Sequence, residues 1–119
     1  MKTPLLLTLL LSLFTFAAHS QAQTVELAYF KQNKGVSEQQ ILKAAKAMES
    51  TISQWQGFQS RELVQLSENK WVDIVHWSDM KSAEAAAHKA MNSSVCLTFF
   101  ALIESTQEDM HHGEIRLQQ

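Results

Sequence analysis

The stretch that most limits the fold of this chain is residues 57–79, GFQSRELVQLSENKWVDIVHWSD. Two apolar-rich runs flank a polar centre, and Asn69 is a residue type that tolerates a positive φ in a tight turn. The stretch reads as a β-hairpin with Glu68-Asn69 at its tip and Ser67 facing Lys70. Carried down the ladder, this register pairs Leu66 with Trp71, Val64 with Asp73, Glu62 with Val75 and Ser60 with Trp77 on one face. Arg61 with His76, Leu63 with Ile74 and Gln65 with Val72 then share the other. One extra residue in either strand would exchange that strand's faces. Large apolar side chains stand on both faces, whereas a sheet wetted on one side alternates cleanly. Each face therefore needs a cover.

The flanking sequence supplies one cover. Residues 25–31 (VELAYFK) read as a first strand, broken by Asn33-Lys34-Gly35. Ser37 and Gln40 have the spacing of a capping box, in which each side chain satisfies the other's free backbone N–H. Ile41, Ala45, Met48, Ile52 and Trp55 then recur as one helical stripe that Gly57 ends. After the hairpin, Ser78 is the expected cap of a second helix buried through Met80, Ala83, Ala87 and Met91, with Lys81, Glu84 and His88 turned away. Its alanines allow close approach to the sheet. Asn92-Ser93-Ser94 interrupts the pattern, Cys96, Phe99, Phe100 and Ile103 mark a further helical piece, and a last strand is expected over about residues 111–118. The order is β-α-β-β-α-β. That predicts an α+β, ferredoxin-like domain: a four-stranded antiparallel sheet with both helices on one face. The natural cover for the other face is a second copy of the chain.

The first residues have a separate meaning. Met1-Lys2, an uncharged apolar run over residues 5–18, and the small residues Ala18, Ser20 and Ala22 describe a secretory signal peptide. The run is short of the ~20 apolar residues that a membrane span needs. Cleavage is expected after Ser20 or Ala22, with Ala22 preferred for its two small residues around Gln21. The expectation is an exported protein, periplasmic or secreted, with no stable membrane insertion after cleavage. Residues 1–22 are then the signal peptide and 23–119 a single domain, 97 of the 119 residues. Losing Lys2 moves the formal charge from −2 to −3, and scattered Lys and Arg give no footprint for nucleic acid. Cys96, the one cysteine, has no partner for an internal disulfide and sits in an apolar run.

The segment FQSRELVQLSENKWVDIVHWSDMKSAEAAAHKAM resembles the dimeric α/β-barrel superfamily, specifically antibiotic-biosynthesis-monooxygenase-like proteins. The resemblance is carried by the strand ending in Trp77, the Ser78-Asp79-Met80 helix start, the alanine-rich helix and the run Phe99-Phe100-Ala101-Leu102-Ile103. It implies a homodimer in which two ferredoxin-like sheets face each other and enclose a barrel cavity. Members of that group include cofactor-independent oxygenases and haem-degrading enzymes. The haem degraders use a histidine on the helix after the third strand and an asparagine on the first strand. Here the first strand offers Glu26, Tyr29 and Lys31 instead, and His88 is the one helical histidine, in the wrong register. No cofactor is therefore expected.

Candidate chemistry centres on the hairpin. In the register above Glu62 and Asp73 are diagonal neighbours, close enough for one carboxylate to raise the other's pKa and act as a general base. Trp71 and Trp77 share their face and would wall an aromatic ligand, so this face is read as the cavity face, with Tyr29 as a further ligand contact. Arg61 and His76, opposite each other, line the cavity if the faces are reversed; histidine exchanges protons near neutral pH. The candidate catalytic set is thus Glu62, Asp73 and His76, and the ligand-binding set Arg61, Trp71, Trp77 and Tyr29. Ordinary structural roles account for each of them equally simply. No metal site is expected: His88 has only Glu84 beside it, and His111 and His112 point to opposite sides of a strand. Two functions follow: a binding protein for a small apolar or aromatic ligand, or a cofactor-independent oxygenase or isomerase using a cavity carboxylate or histidine.

Overall fold

The computed structural model describes residues 22–119, so the expected signal peptide, but for Ala22, lies outside the described residues. Chain order is β1 (Thr24–Gln32), α1 (Glu38–Ile52), β2 (Phe58–Ser67), β3 (Lys70–Trp77), α2 (Met80–Ala90), α3 (Ser94–Phe100), β4 (Ile103–Glu104), a 3-10 turn (Gln107–Asp109) and β5 (Met110–Glu114). The strands pair antiparallel in the order β2-β3-β1-β4, with β5 also on β1. This is the expected ferredoxin-like sheet with one change. The last strand begins earlier than residue 111 and is broken in two: β4 pairs Lys31 with Glu104, β5 pairs Ala28 with Met110, and the 3-10 turn takes up the residues between. Among the described residues no helix is long and apolar enough to cross a membrane.

Helix α1 forms as its pattern dictates. Ser37 and Gln40 close the capping box in both directions, at 3.2 and 2.8 Å. Ile41, Ala45, Met48 and Ile52 are buried in one cluster with Phe30, Trp71, Cys96 and Phe99. The three larger stripe residues contribute about 1.5–3 kcal/mol each by leaving water. Trp55 packs on the edge of this cluster. The helix stops before Gly57, whose positive φ of 83° turns the chain into β2. A Cβ there would collide with Ser82 and Ser78 at the start of α2, so glycine is needed for space as well as for conformation.

Two sequence expectations fail at α2. Asp79, not Ser78, is the N-cap: its carboxylate accepts from the Ser82 backbone N–H at 2.7 Å, while Ser78 donates its hydroxyl to Asp79 at 3.4 Å. The buried stripe is Ser82, Ala83 and Ala86 rather than one ending at Met91, which is 64% exposed. The cap has a measurable signature. Hydrogen bonds from Ser82 pull the Asp79 carboxyl below its usual 3.8, and bonds from Thr106 do the same for Asp109. Carboxyls depressed on folding stabilise the fold above the unfolded value and lose that effect as pH falls through the folded one. Urea midpoints are therefore expected to drop as pH is lowered below about 3.8, and Asp79→Asn to flatten part of that slope.

The hairpin departs from the expected register. Ser67 does face Lys70, but Leu66 is then skipped: the partners are Gln65 with Trp71, Val64 with Val72, Leu63 with Asp73, Glu62 with Ile74, Arg61 with Val75 and Ser60 with His76. A second irregularity at Gln59 brings Phe58 opposite Trp77. Each bulge adds a residue to one strand and exchanges its faces. Arg61 and Leu63 consequently join Trp71, Asp73, Val75 and Trp77 under the helices. Glu62, Val64 and His76 join Val25, Leu27, Val72 and Ile74 on the open face. That open face is as apolar as anticipated.

Candidate functional site

The β1–β3 register places Thr24, Glu26, Ala28 and Phe30 beside Trp77, Val75, Asp73 and Trp71, all on the helix side. Between this floor and the helices lies a pocket of about 260 Å³. Glu26, Ala28 and Phe30 of β1, Asp73, Val75 and Trp77 of β3, and Arg61 of β2 line its floor. Met48 and Ile52 of α1, Trp55 just past its end, Ala86, Ala87 and Ala90 of α2, and Cys96, Phe99 and Phe100 of α3 line its roof; Met91, Ser105 and Met110 are at its borders. The alanines leave the room: a larger side chain on that face of α2 would fill the space. The cavity thus lies between sheet and helices within one chain, not on the open face. The expected cavity face is the open one, closed by a second copy; Trp77 and Asp73 instead share the face that the helices cover, and Glu62 is not on it.

Two side-chain pairs stand at this pocket. Arg61 donates through Nε to Asp73 Oδ1 at 2.8 Å and through Nη2 to Oδ2 at 2.6 Å, a bidentate fork. Its Nη1 donates to the carbonyl of Ala45 on α1 at 2.8 Å, and its guanidinium lies 5.8 Å from the centre of the Phe99 ring. Both side chains are about nine-tenths buried. Across the floor, His112 Nε2 of β5 lies 2.8 Å from Glu26 Oε2 of β1, its Cα partner in the ladder. Burial pushes the Glu26 carboxyl above its ordinary 4.5; the hydrogen bond and charge of His112 pull it back in part, and Asp73 adds to the rise. The folded state therefore holds this proton more tightly than the unfolded chain does. Its contribution to stability is full below pH 4.5 and declines as pH rises through the folded value. Trp77 Nε1 and Thr24 Oγ1, on paired residues, are buried without a protein partner.

The expected site residues are scattered. Asp73, Arg61 and Trp77 line the pocket together. Glu62 is exposed on the open face opposite Ile74, so it is no neighbour of Asp73; the bulge at Leu66 separates them. His76 is also on the open face, opposite Ser60 and not Arg61, for the same reason. Trp71 belongs to the core, stacked on Phe30 and donating to Gln32 Oε1 at 2.8 Å. Tyr29 borders the pocket, but its ring meets His111 edge-on, and both residues are on the open face by register. The pairing of Glu26 with His112 is not among the sequence expectations. Their signal was available: a glutamate in the same parity as Ala28 and Phe30 must face the core, and needs a partner there.

Comparison with known proteins gives structural likenesses at low sequence identity. The chain is similar to SnoaB, a cofactor-independent oxygenase from Streptomyces nogalater, with TM-score 0.63 and 15% identity over 82% of this chain and 95% of that one. It is similar to MhuD, a heme degrader from Mycobacterium tuberculosis seen with two hemes in its active site, with TM-score 0.57 and 14% identity over 81% and 98%. Protein SO0527 from Shewanella oneidensis gives TM-score 0.53 and 21% identity over 78% and 88%. No family model and no curated protein sequence matches. These likenesses establish the fold alone, an α+β sheet-and-helix fold shared with SnoaB and MhuD. They do not bring haem with them. Among the described residues no histidine lines the pocket, His88 is exposed on α2, and His112 is held by Glu26, so these residues do not fit a haem ligand set. Among the described residues no three His, Cys, Asp or Glu side chains group as a metal site.

Proposed function

We propose that this chain is exported and works as a homodimer that binds a small apolar or aromatic molecule in the pocket between its sheet and helices. The observation that carries this reading is the pocket itself: about 260 Å³, walled by Phe30, Trp55, Trp77, Phe99 and Phe100, with its few polar groups at fixed positions. Ligand sites have this make-up, a mostly apolar wall and a small number of placed polar groups. Export is supported by the amino-terminal leader pattern and places the protein in the periplasm or outside the cell. A second copy is supported by the open face, where the partly exposed Val25, Leu27, Val64 and Ile74 stand together around the buried Val72. Facing sheets would bury the exposed parts of these residues and leave the helix-side pocket of each copy intact.

An enzymatic reading is favoured by one observation, the buried carboxylate of Glu26 in the pocket wall. A cofactor-independent oxygenase or isomerase needs a group that accepts a proton out of water, and a raised carboxyl meets that need. In this reading Glu26, rather than Glu62, Asp73 or His76, is the base.

The test fills the pocket from α2. Ala87→Trp adds an indole to the roof. Titration with 2-tetralone or 2-naphthol, followed by ligand-observed NMR, is expected to show binding to the wild type and at least a tenfold loss in the variant. Equal binding by both proteins would place the ligand elsewhere and end this reading.

A further inference from the structure

We propose that Glu26 and His112 form a proton-exchange dyad. Glu26 is the catalytic base toward an activated C–H beside the carbonyl of an aromatic ketone, and His112 is the residue that positions it. The inference rests on the pocket being a ligand site. It is carried by the division of labour between two carboxylates in one pocket wall.

Asp73 cannot serve, because Arg61 occupies both of its oxygens. Glu26 is different. His112 takes Oε2 at 2.8 Å, and among the described residues no hydrogen bond reaches Oε1. The side chain is 13% exposed and lines the pocket, whereas His112 does not line it and reaches Glu26 from the neighbouring edge strand β5. Base and orienter are thus on paired positions of adjacent strands, so the backbone ladder fixes their relation. A pocket-lining carboxylate oriented through one oxygen by a second residue, with no hydrogen bond on the other among the described residues, is an arrangement suited to general-base catalysis.

The charged surroundings are few. From β3 and β2, Asp73 and Arg61 neutralise each other. On β5, Glu114 is exposed and meets Arg116 at 3.5 Å. On α2, Lys81, Glu84, His88 and Lys89 are exposed, and α3 adds Cys96 alone among titratable side chains. No lysine or arginine lies within ion-pair distance of Glu26 among the described residues.

The step balances without an oxidant. The C–H bond beside the ketone breaks, its electron pair becomes the enolate double bond, and the proton passes to Glu26 Oε1. The reverse step returns a proton to the same carbon or to a conjugated one. In deuterated water the returning nucleus is a deuteron, so exchange reports the step directly.

2-Tetralone is the probe, and loss of its C1 proton signal in deuterated water is the readout. Wild-type protein is expected to exceed Glu26→Gln by about a hundredfold, the usual reach of a positioned base, while the variant still binds the ketone. His112→Phe is expected to slow exchange and to move the midpoint of its pH profile upward, because His112 holds the Glu26 carboxyl down. A merely structural histidine would leave that midpoint in place. Bound 2-tetralone exchanging equally fast with wild type and Glu26→Gln would overturn the dyad and leave the ligand pocket standing. Failure of the ketone to bind would count against the aromatic pocket instead. The dyad then stands or falls on NMR titration of the free protein: a Glu26 carboxyl midpoint that rises in His112→Phe supports it, and one that stays put refutes it.

Discussion

Replacing Arg61 by methionine is expected to lower the stability of the fold by about 3–5 kcal/mol, as breaking one side of a buried ion pair does. Methionine keeps the apolar stem of arginine but leaves the Asp73 carboxylate, which is 7% exposed, with no cation and no donor among its neighbours. The Ala45 carbonyl on α1 loses a donor at the same time. The pair costs much to break and little to remove whole: a charge-free double variant, Arg61→Met with Asp73→Leu, is expected to recover most of the loss. Urea unfolding of the two variants reads the difference. If Arg61→Met alone costs under about 1 kcal/mol, the pair is solvated rather than buried as described above.

Phe99→Ala is expected to cost about 3–5 kcal/mol, the range for emptying a buried aromatic site. Phe99 is 2% exposed and joins three parts of the molecule. Its ring meets Phe30 of β1 edge-on at 5.5 Å and Phe100 at 6.1 Å, and it lies beneath the Arg61 guanidinium. Truncation would open the pocket roof and remove the ring under that cation. Because the two residues touch, the double variant Phe99→Ala with Arg61→Met is expected to lose less than the sum of the single losses, by 0.5 kcal/mol or more. Strict additivity would show that the ring and the guanidinium do not act on each other.

Element order, the α1 stripe and its capping box were legible because local rules decide them: a 3.6-residue period, a serine and a glutamine three apart, a glycine after the last turn. The need to cover both faces of the hairpin was legible for the same reason. Which hairpin residues share a face was not. The tip was read correctly, but the bulge at Leu66 shifts everything beyond it by one residue, and no residue type announces such a bulge. Charge supplied the missing signal. A mid-strand aspartate facing a core needs a cation, and Arg61 is the one cation in the hairpin away from its tip. Only the shifted register puts Arg61 on the Asp73 side. Glu26 and His112 escaped notice for a longer-range reason: they are 86 positions apart and meet only when β5 joins β1. The breaking of the last strand by a 3-10 turn sets that meeting, and strand periodicity does not contain it.

Native mass spectrometry of the mature protein, purified gently from outside the cytoplasm, reads the proposed pocket and the proposed dimer together. The expected result is a dimer of chains lacking the first 22 residues, each carrying an added mass that Ala87→Trp removes. A bare monomer, or an added mass that survives the tryptophan, would rule the proposal out.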